Sequence, residues 1–209
     1  MLALALTAVA SASAPLGEIP LVDWSSSDPK LAHKWMAKND PVMGGRSYST
    51  VSVSDGMLNF TGSCEIVPSL QAPGFITAIN SDQNPWADVS SCTGLKITGM
   101  SANSYSGFRI SFGRAHPAGG KFFAYGYKAS FAPSQGTVGS VSVPFKSFTD
   151  FWDDATGKAI HTCESNPNYC PDAKTLQDMK TMSIWGEGVQ GAVQLELASI
   201  AGYGCSGAR

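Results

Sequence analysis

The sequence predicts an all-β domain, a sandwich or barrel of short strands, and three observations carry that prediction. The 22 glycines and 12 prolines are spread along 209 residues without a period, which fits many tight turns between short strands. Between these turn residues recur short runs rich in Val, Ile, Phe and Thr, the pattern of sandwiches and barrels. Hydrophobic residues reach 43% and charged residues only 14%, against an ordinary charged share of about 25%. So apolar a chain buries enough surface to offset its ordering entropy. The length suits one domain with a full core and is short for two.

The elements follow in chain order. The opening MLALALTAVASASA is uncharged and apolar, then small. Ala10-Ser11-Ala12 and Ala12-Ser13-Ala14 both fit the small-x-small cleavage rule, so residues 1–14 read as a signal or lumenal targeting peptide, too short to span a bilayer. The run has neither a basic start nor the arginines of a mitochondrial presequence, and an apolar N-terminal strand is the alternative reading. APLGEIPLVDW then reads as extended chain, and residues 28–36, from Asp28-Pro29 on, as a short helix. Residues 49–54 alternate polar and apolar, Asp55-Gly56 supplies a two-residue turn, and 57–61 return, which makes a β-hairpin. Further strands are expected at 75–79, 95–98, 108–112, 122–131, 138–143, 183–185 and 193–200, and one short helix at 172–181.

Charge and motifs exclude several functions. A net charge of −2 with no run of lysine or arginine leaves no electrostatic footprint for nucleic acid or an anionic membrane. Gly186-x-Gly188-x-x-Gly191 matches a dinucleotide fingerprint, but an alternating strand pattern follows it where a helix is required, so a glycine-rich hairpin is the better account. His33, His116 and His161 have no metal-ligand spacing, no cysteine pair has CxxC spacing, and no GxSxG elbow occurs. The prediction is therefore no enzyme, no metal and no cofactor. Asp150, Asp153 and Asp154 around Phe151-Trp152 offer carboxylates for calcium or an indole for a sugar, but the spacing of a calcium loop is missing and a solvated acidic loop is favoured.

The five cysteines, Cys64, Cys92, Cys163, Cys170 and Cys205, suit an oxidising compartment. Cys163 and Cys170 enclose a turn-rich hexapeptide and form the expected local disulfide. Cys64 with Cys92 is the expected second, leaving Cys205 over. Asn59-Phe60-Thr61 is an N-glycosylation sequon inside an expected strand, to be modified on export through an endoplasmic reticulum and a plain strand asparagine otherwise. The segment Asn39-Asp40-Pro41-Val42-Met43-Gly44-Gly45-Arg46-Ser47 is dense in turn residues: Asp40-Pro41 starts a turn, and Gly44-Gly45 allows φ values closed to other residues. Arg46, just after it, is placed to meet a carboxylate of a partner or backbone carbonyls.

Trp35 followed by NDPVMGGRS, the hairpin ending Leu58-Asn59-Phe60-Thr61-Gly62, and Pro73-Gly74-Phe75-Ile76 resemble the complex I intermediate-associated protein 30 family. Gly94-Leu95-Lys96-Ile97, Tyr127 to Phe131, Val143-Pro144-Phe145 with Phe148, and residues 191–200 continue the likeness, over residues 24–202. The insertion at 153–171 departs from the family pattern. The resemblance implies a galactose-binding-like jelly-roll β-sandwich with one or two short helices. It also implies a non-catalytic, chaperone-like assembly factor whose partner is a protein, such as a subunit of a membrane complex. A secreted or lumenal glycan-binding module, stacking sugars on Trp152 and Trp86, is the rival. Met43, Arg46 and Trp152 are the expected partner-binding residues, with Asp40, Pro41, Gly44 and Gly45 as structural turn. The secretory pathway or an organelle lumen is the expected location, with the mitochondrion as alternative.

Overall fold

The structure, a computed structural model, describes residues 17–114, 126–153 and 157–207, with Val42 and Met43 described by their backbone alone. The expected targeting peptide, His116, Asp154 and the first part of the 122–131 strand lie outside the described residues. Along the chain run β1 (Gly17–Asp23), β2 (Trp35–Asn39), β3 (Tyr48–Ser54), β4 (Met57–Cys64), β5 (Ile66–Val67), β6 (Ala72–Pro73) and β7 (Phe75–Asn80). They are followed by β8 (Gly94–Ser101), β9 (Phe108–Gly113), β10 (Tyr127–Ser130), β11 (Ser134–Gln135), β12 (Gly139–Pro144), α1 (Ala173–Gln177), β13 (Thr181–Glu187) and β14 (Gly191–Cys205). A seven-stranded sheet in the order β11-β8-β14-β4-β3, with β1 added to β14 and β12 to β8, faces a five-stranded sheet in the order β10-β9-β13-β7-β2. The result is a jelly-roll β-sandwich with short helices.

Alternation explains the core. On β4, Leu58 and Phe60 face inward beside Leu197 and Leu195 of β14, and all four are fully buried. Opposite them the five-stranded sheet supplies Ile76, Phe108, Ile110, Phe112, Met182 and Ile184. Strand β14 keeps its apolar face inward over 15 residues because a register shift between Leu197 and Ser199 resets its alternation. The hairpin β3–β4 turns at Asp55-Gly56, both at positive φ, as a two-residue primed turn requires.

Three expectations are corrected. Residues 28–36 form turns and then β2 rather than a helix: Trp35 to Asn39 pair with β7, and Trp35 packs on the core. The helix expected at 172–181 stops at Gln177; Asp172 caps it through Thr175 N (2.8 Å), and Lys180 N donates to Gly113 O (2.7 Å) as the chain turns into β13. The glycines at 186, 188 and 191 do not close a hairpin, since β13 and β14 belong to different sheets; they carry the chain across the sandwich.

The turn between β2 and β3 is built around one buried carboxylate. Asp40, 2% exposed, accepts from Ser47 N (2.8 Å), Ser47 Oγ (2.6 Å) and Phe75 N (3.1 Å), and Ser47 Oγ in turn accepts from Glu65 N (2.9 Å). Residues Asp40–Met43 make one 3-10 turn with Pro41 at its start, ended by Gly44 at φ +83°. Only Gly44 needs the left-handed region. Gly45 and Gly74 are there for a different reason: a Cβ on either would overlap the Asp40 carboxylate.

The cysteines depart from expectation in one pair. Cys163 bonds Cys170, but Cys92 bonds Cys205, across 113 residues of sequence, so the Cys64–Cys92 expectation is wrong. Thr93 N donates to Tyr203 O (2.9 Å) and Ser206 N to Ser91 O (3.0 Å), which brings Cys92 beside the end of β14. Cys64 points into the core, fully buried, and its thiol donates to Gly74 O (2.9 Å).

A second polar lock is buried beside the core. His33, its side chain 0% exposed, sets Nδ1 3.1 Å from Asp82 Oδ1 and stacks on Trp86 at 3.6 Å. Trp86, 6% exposed, is therefore a core residue and not the exposed sugar platform expected of it. Burial lowers the His33 pKa, against the raising influence of Asp82. Burial also works to raise Asp82, but bonds from Lys34 N, Asn84 N and His33 outweigh it and hold the carboxyl below its usual range.

Three outcomes follow from this architecture. In thermal melts, Gly45→Ala and Gly74→Ala should each lose about 2–3 kcal/mol by overpacking the clasp, Gly44→Ala about 1 kcal/mol from its φ alone, and Arg46→Ala less than about 0.5 kcal/mol. Non-reducing peptide mapping should recover Cys92 with Cys205, and removal of that bridge should cost about 5 kcal/mol against about 2.5 kcal/mol for Cys163–Cys170, by loop length. Because folding lowers the His33 pKa below its unfolded 6.5, its neutral form stabilises the fold above that value. This contribution is lost as pH falls from about 6.5. Melting temperature should fall from pH 7 to 5, more steeply in the wild type than in His33→Gln.

Candidate binding site

On the outer face of the five-stranded sheet, alternate residues of three adjacent strands meet. Arg109 and Ser111 of β9 lie beside Trp185 and Ser183 of β13 and beside Ser130 and Lys128 of β10. None of these belongs to the central core cluster. Lys128, 4% exposed, places Nζ 3.9 Å from the ring centre of Trp152 and 4.5 Å from that of Trp185. The same ammonium donates to both oxygens of Glu187 (3.1 and 2.8 Å), and Arg109 donates to Glu187 Oε2 (2.7 Å). Trp185 Nε1 donates to Ser111 Oγ (2.8 Å), and Phe75 packs on its ring. Charges this deep persist only when paired and hydrogen-bonded, and the cation–π contacts strengthen once water is excluded.

The segment after β12 brings Trp152 to this cluster. Lys128 and Thr149 exchange backbone bonds of 2.8 and 3.1 Å, Trp152 bridges Ala159, and Gly157, at φ +62°, passes so close that a Cβ there would strike Arg109 and Glu187. Next to Trp152, Phe151 lies within 21° of parallel to His161 and Tyr169, with ring centres 5.2–5.5 Å apart, and Cys163–Cys170 closes this loop. Between loop and sheet opens a pocket of about 250 Å³, whose lining includes Arg109, Lys128, Trp152, Ser130, Ser147 and Thr149.

Burial pushes the Cys64 thiol up to about 11, which removes it as a nucleophile at neutral pH. Burial also raises the Tyr105 phenol, which donates to Val189 O (3.0 Å). Among the described residues no group of three His, Cys, Asp or Glu side chains is arranged to hold a metal.

The residues singled out from the sequence fall in separate places. Asp40, Pro41, Gly44 and Gly45 form the clasp at the β2 edge. Arg46 beside them is exposed, and the side chain of Met43 lies outside the described residues. Trp152 lies over the outer face at β10, β9 and β13, apart from the clasp at the β2 edge. Asn59 is on β4 in the other sheet. Lys128, Arg109, Glu187 and Trp185 were not foreseen. The signal available was a lone charge at an alternating position of an otherwise apolar strand, Phe108-Arg109-Ile110 and Ile184-Trp185-Gly186-Glu187, which on a solvated face would need no partner.

In solved structures the chain is similar to the family 11 carbohydrate-binding module from Clostridium thermocellum in complex with a β-1,3-1,4-mixed-linked tetrasaccharide. The two share a TM-score of 0.57 and 12% identity over 92% of this chain and 98% of that one. It is also similar to the family 11 module of the cellulosomal cellulase Lic26A-Cel5E of the same organism, with a TM-score of 0.57 and 12% identity over 92% and 97% of the two chains. At that identity the likeness concerns the fold. No curated protein matches the chain in sequence. The family model of complex I intermediate-associated protein 30 matches residues 24–166, more than half of the chain, with the Asp40 clasp inside the matched span. The chain belongs to the complex I intermediate-associated protein 30 family.

Proposed function

We propose that this domain is a non-catalytic, chaperone-like binding protein that holds a protein partner, such as an immature subunit of a membrane complex, in the manner of an assembly factor. Membership of the family carries this reading. The contact we assign takes in Met43 and Arg46 at the β2 edge and Trp152 over the outer face. Arg46 is exposed and, among the described residues, is engaged by no carboxylate, so its guanidinium is available for an acidic side chain of the partner. Two disulfides support a secretory or lumenal location, because such bonds persist in oxidising compartments.

A glycan is the second reading, favoured by one observation: a pocket whose lining includes Ser130, Ser147, Thr149, Arg109, Lys128 and Trp152. Such a mixture suits a pyranose ring, which stacks on an aromatic face while its hydroxyls find polar partners.

Co-purification from native membranes tests the first reading. Arg46→Ala should weaken partner capture about tenfold, as loss of an arginine contact worth about 1.4 kcal/mol does, with no loss of melting temperature. Unchanged capture by the folded variant moves the contact to the Trp152 loop. Glycan-array binding that vanishes in Trp152→Ala, with no protein captured, establishes the second reading instead.

A further inference from the structure

We infer that Asn59 carries an N-linked glycan that covers the outer face of the seven-stranded sheet and shields its β3 edge. Asn59 and Thr61, the two recognition residues of the sequon, are two positions apart on β4 and so project from the same face. That face is the outer one, because Leu58 and Phe60 between and beside them are buried in the core. Directly opposite Asn59 stand Ser52 of β3 and Glu196 of β14. Ser52, Ser54 and Thr61 around it are exposed, and on the β3 side the neighbours are small. Its Nδ2 donates to Ser54 Oγ (3.1 Å) and Met57 O (3.3 Å). A glycosylated amide keeps one N–H, so one of these two bonds survives modification.

The transfer itself balances with a lipid-linked oligosaccharide diphosphate as donor. The amide nitrogen bonds to the anomeric carbon, the bond from that carbon to the diphosphate breaks, and the amide gives up one proton. A transferase in an oxidising compartment acts on extended chain, and the disulfides Cys92–Cys205 and Cys163–Cys170 independently point to passage through such a compartment.

The sheet gives the glycan work to do. Strand β3 ends the seven-stranded sheet with the sequence YSTVSVS, free of charge and proline, and Tyr48 and Val53 are 63% and 52% exposed. Edge strands are ordinarily kept from pairing with other chains by charge, proline or a covering group. Asn59 is one strand, or about 4.8 Å, from that edge, and a branched oligosaccharide there bars an incoming strand. Partners are then confined to the other sheet.

Expression of the full chain in a eukaryotic secretory host tests both statements. Treatment with an N-glycosidase should sharpen and lower the band of the wild type and of Thr61→Ser, and leave Asn59→Gln and Thr61→Ala unchanged. Recovery of disulfide-bonded protein with Asn59 unmodified by peptide mass overturns the site. Sedimentation should find the glycosylated protein monomeric and Asn59→Gln associating with rising concentration. A variant that stays monomeric throughout overturns the shielding role.

Discussion

The buried carboxylate of Asp40 sets the geometry on which the two sheets depend. The bonds from Ser47 N, Ser47 Oγ and Phe75 N help fix how β2, an edge of one sheet, passes to β3, an edge of the other. A buried carboxyl left without these partners is costly. The clasp therefore forms completely or not at all. Its closeness also dictates composition, since two glycines are needed where any side chain would enter the space of the carboxylate. This stretch, inside the span the family model matches, is thus organised by packing around one residue, and Arg46 is its charged member that faces solvent.

On the outer face of the five-stranded sheet a second set of charges is buried for a different reason. Lys128, Arg109 and Glu187 satisfy one another, and two indoles cover the ammonium. Replacing such a cluster with apolar side chains often stabilises a protein, so its presence argues for use rather than for stability. The loop that carries Trp152 and Gly157 completes it, and the Cys163–Cys170 disulfide closes that loop.

The disulfides divide by range. Cys163–Cys170 tightens its own loop, whereas Cys92–Cys205 ties the turn before β8 to the end of β14 and removes a large share of the freedom of the unfolded chain. Cys64, the odd thiol, is a core residue whose burial makes it inert.

By itself the sequence determined the features that depend on local chemistry. Alternation placed the β3–β4 hairpin and the strands around 75–79, 95–98, 108–112 and 193–200, because a half-buried strand must show period two. Turn residues placed the loops, and the short spacing of Cys163 and Cys170 gave their pairing. Long-range encounter decided the rest. The partner of Cys92 is 113 residues away, and only the neighbouring backbones of β8 and β14 make it the nearest thiol. The end of the expected helix, Trp35 and Met36, is drawn into β2 by β7 on one side and the core on the other, a gain in burial that outweighs weak propensity. Lys128, Glu187, Arg109 and Trp152 come from four separate segments, and no spacing in a chain records which outer-face residues a later loop will cover. That cover, which turns solvated charges into a buried cluster with a pocket beside it, exists only in the folded sandwich.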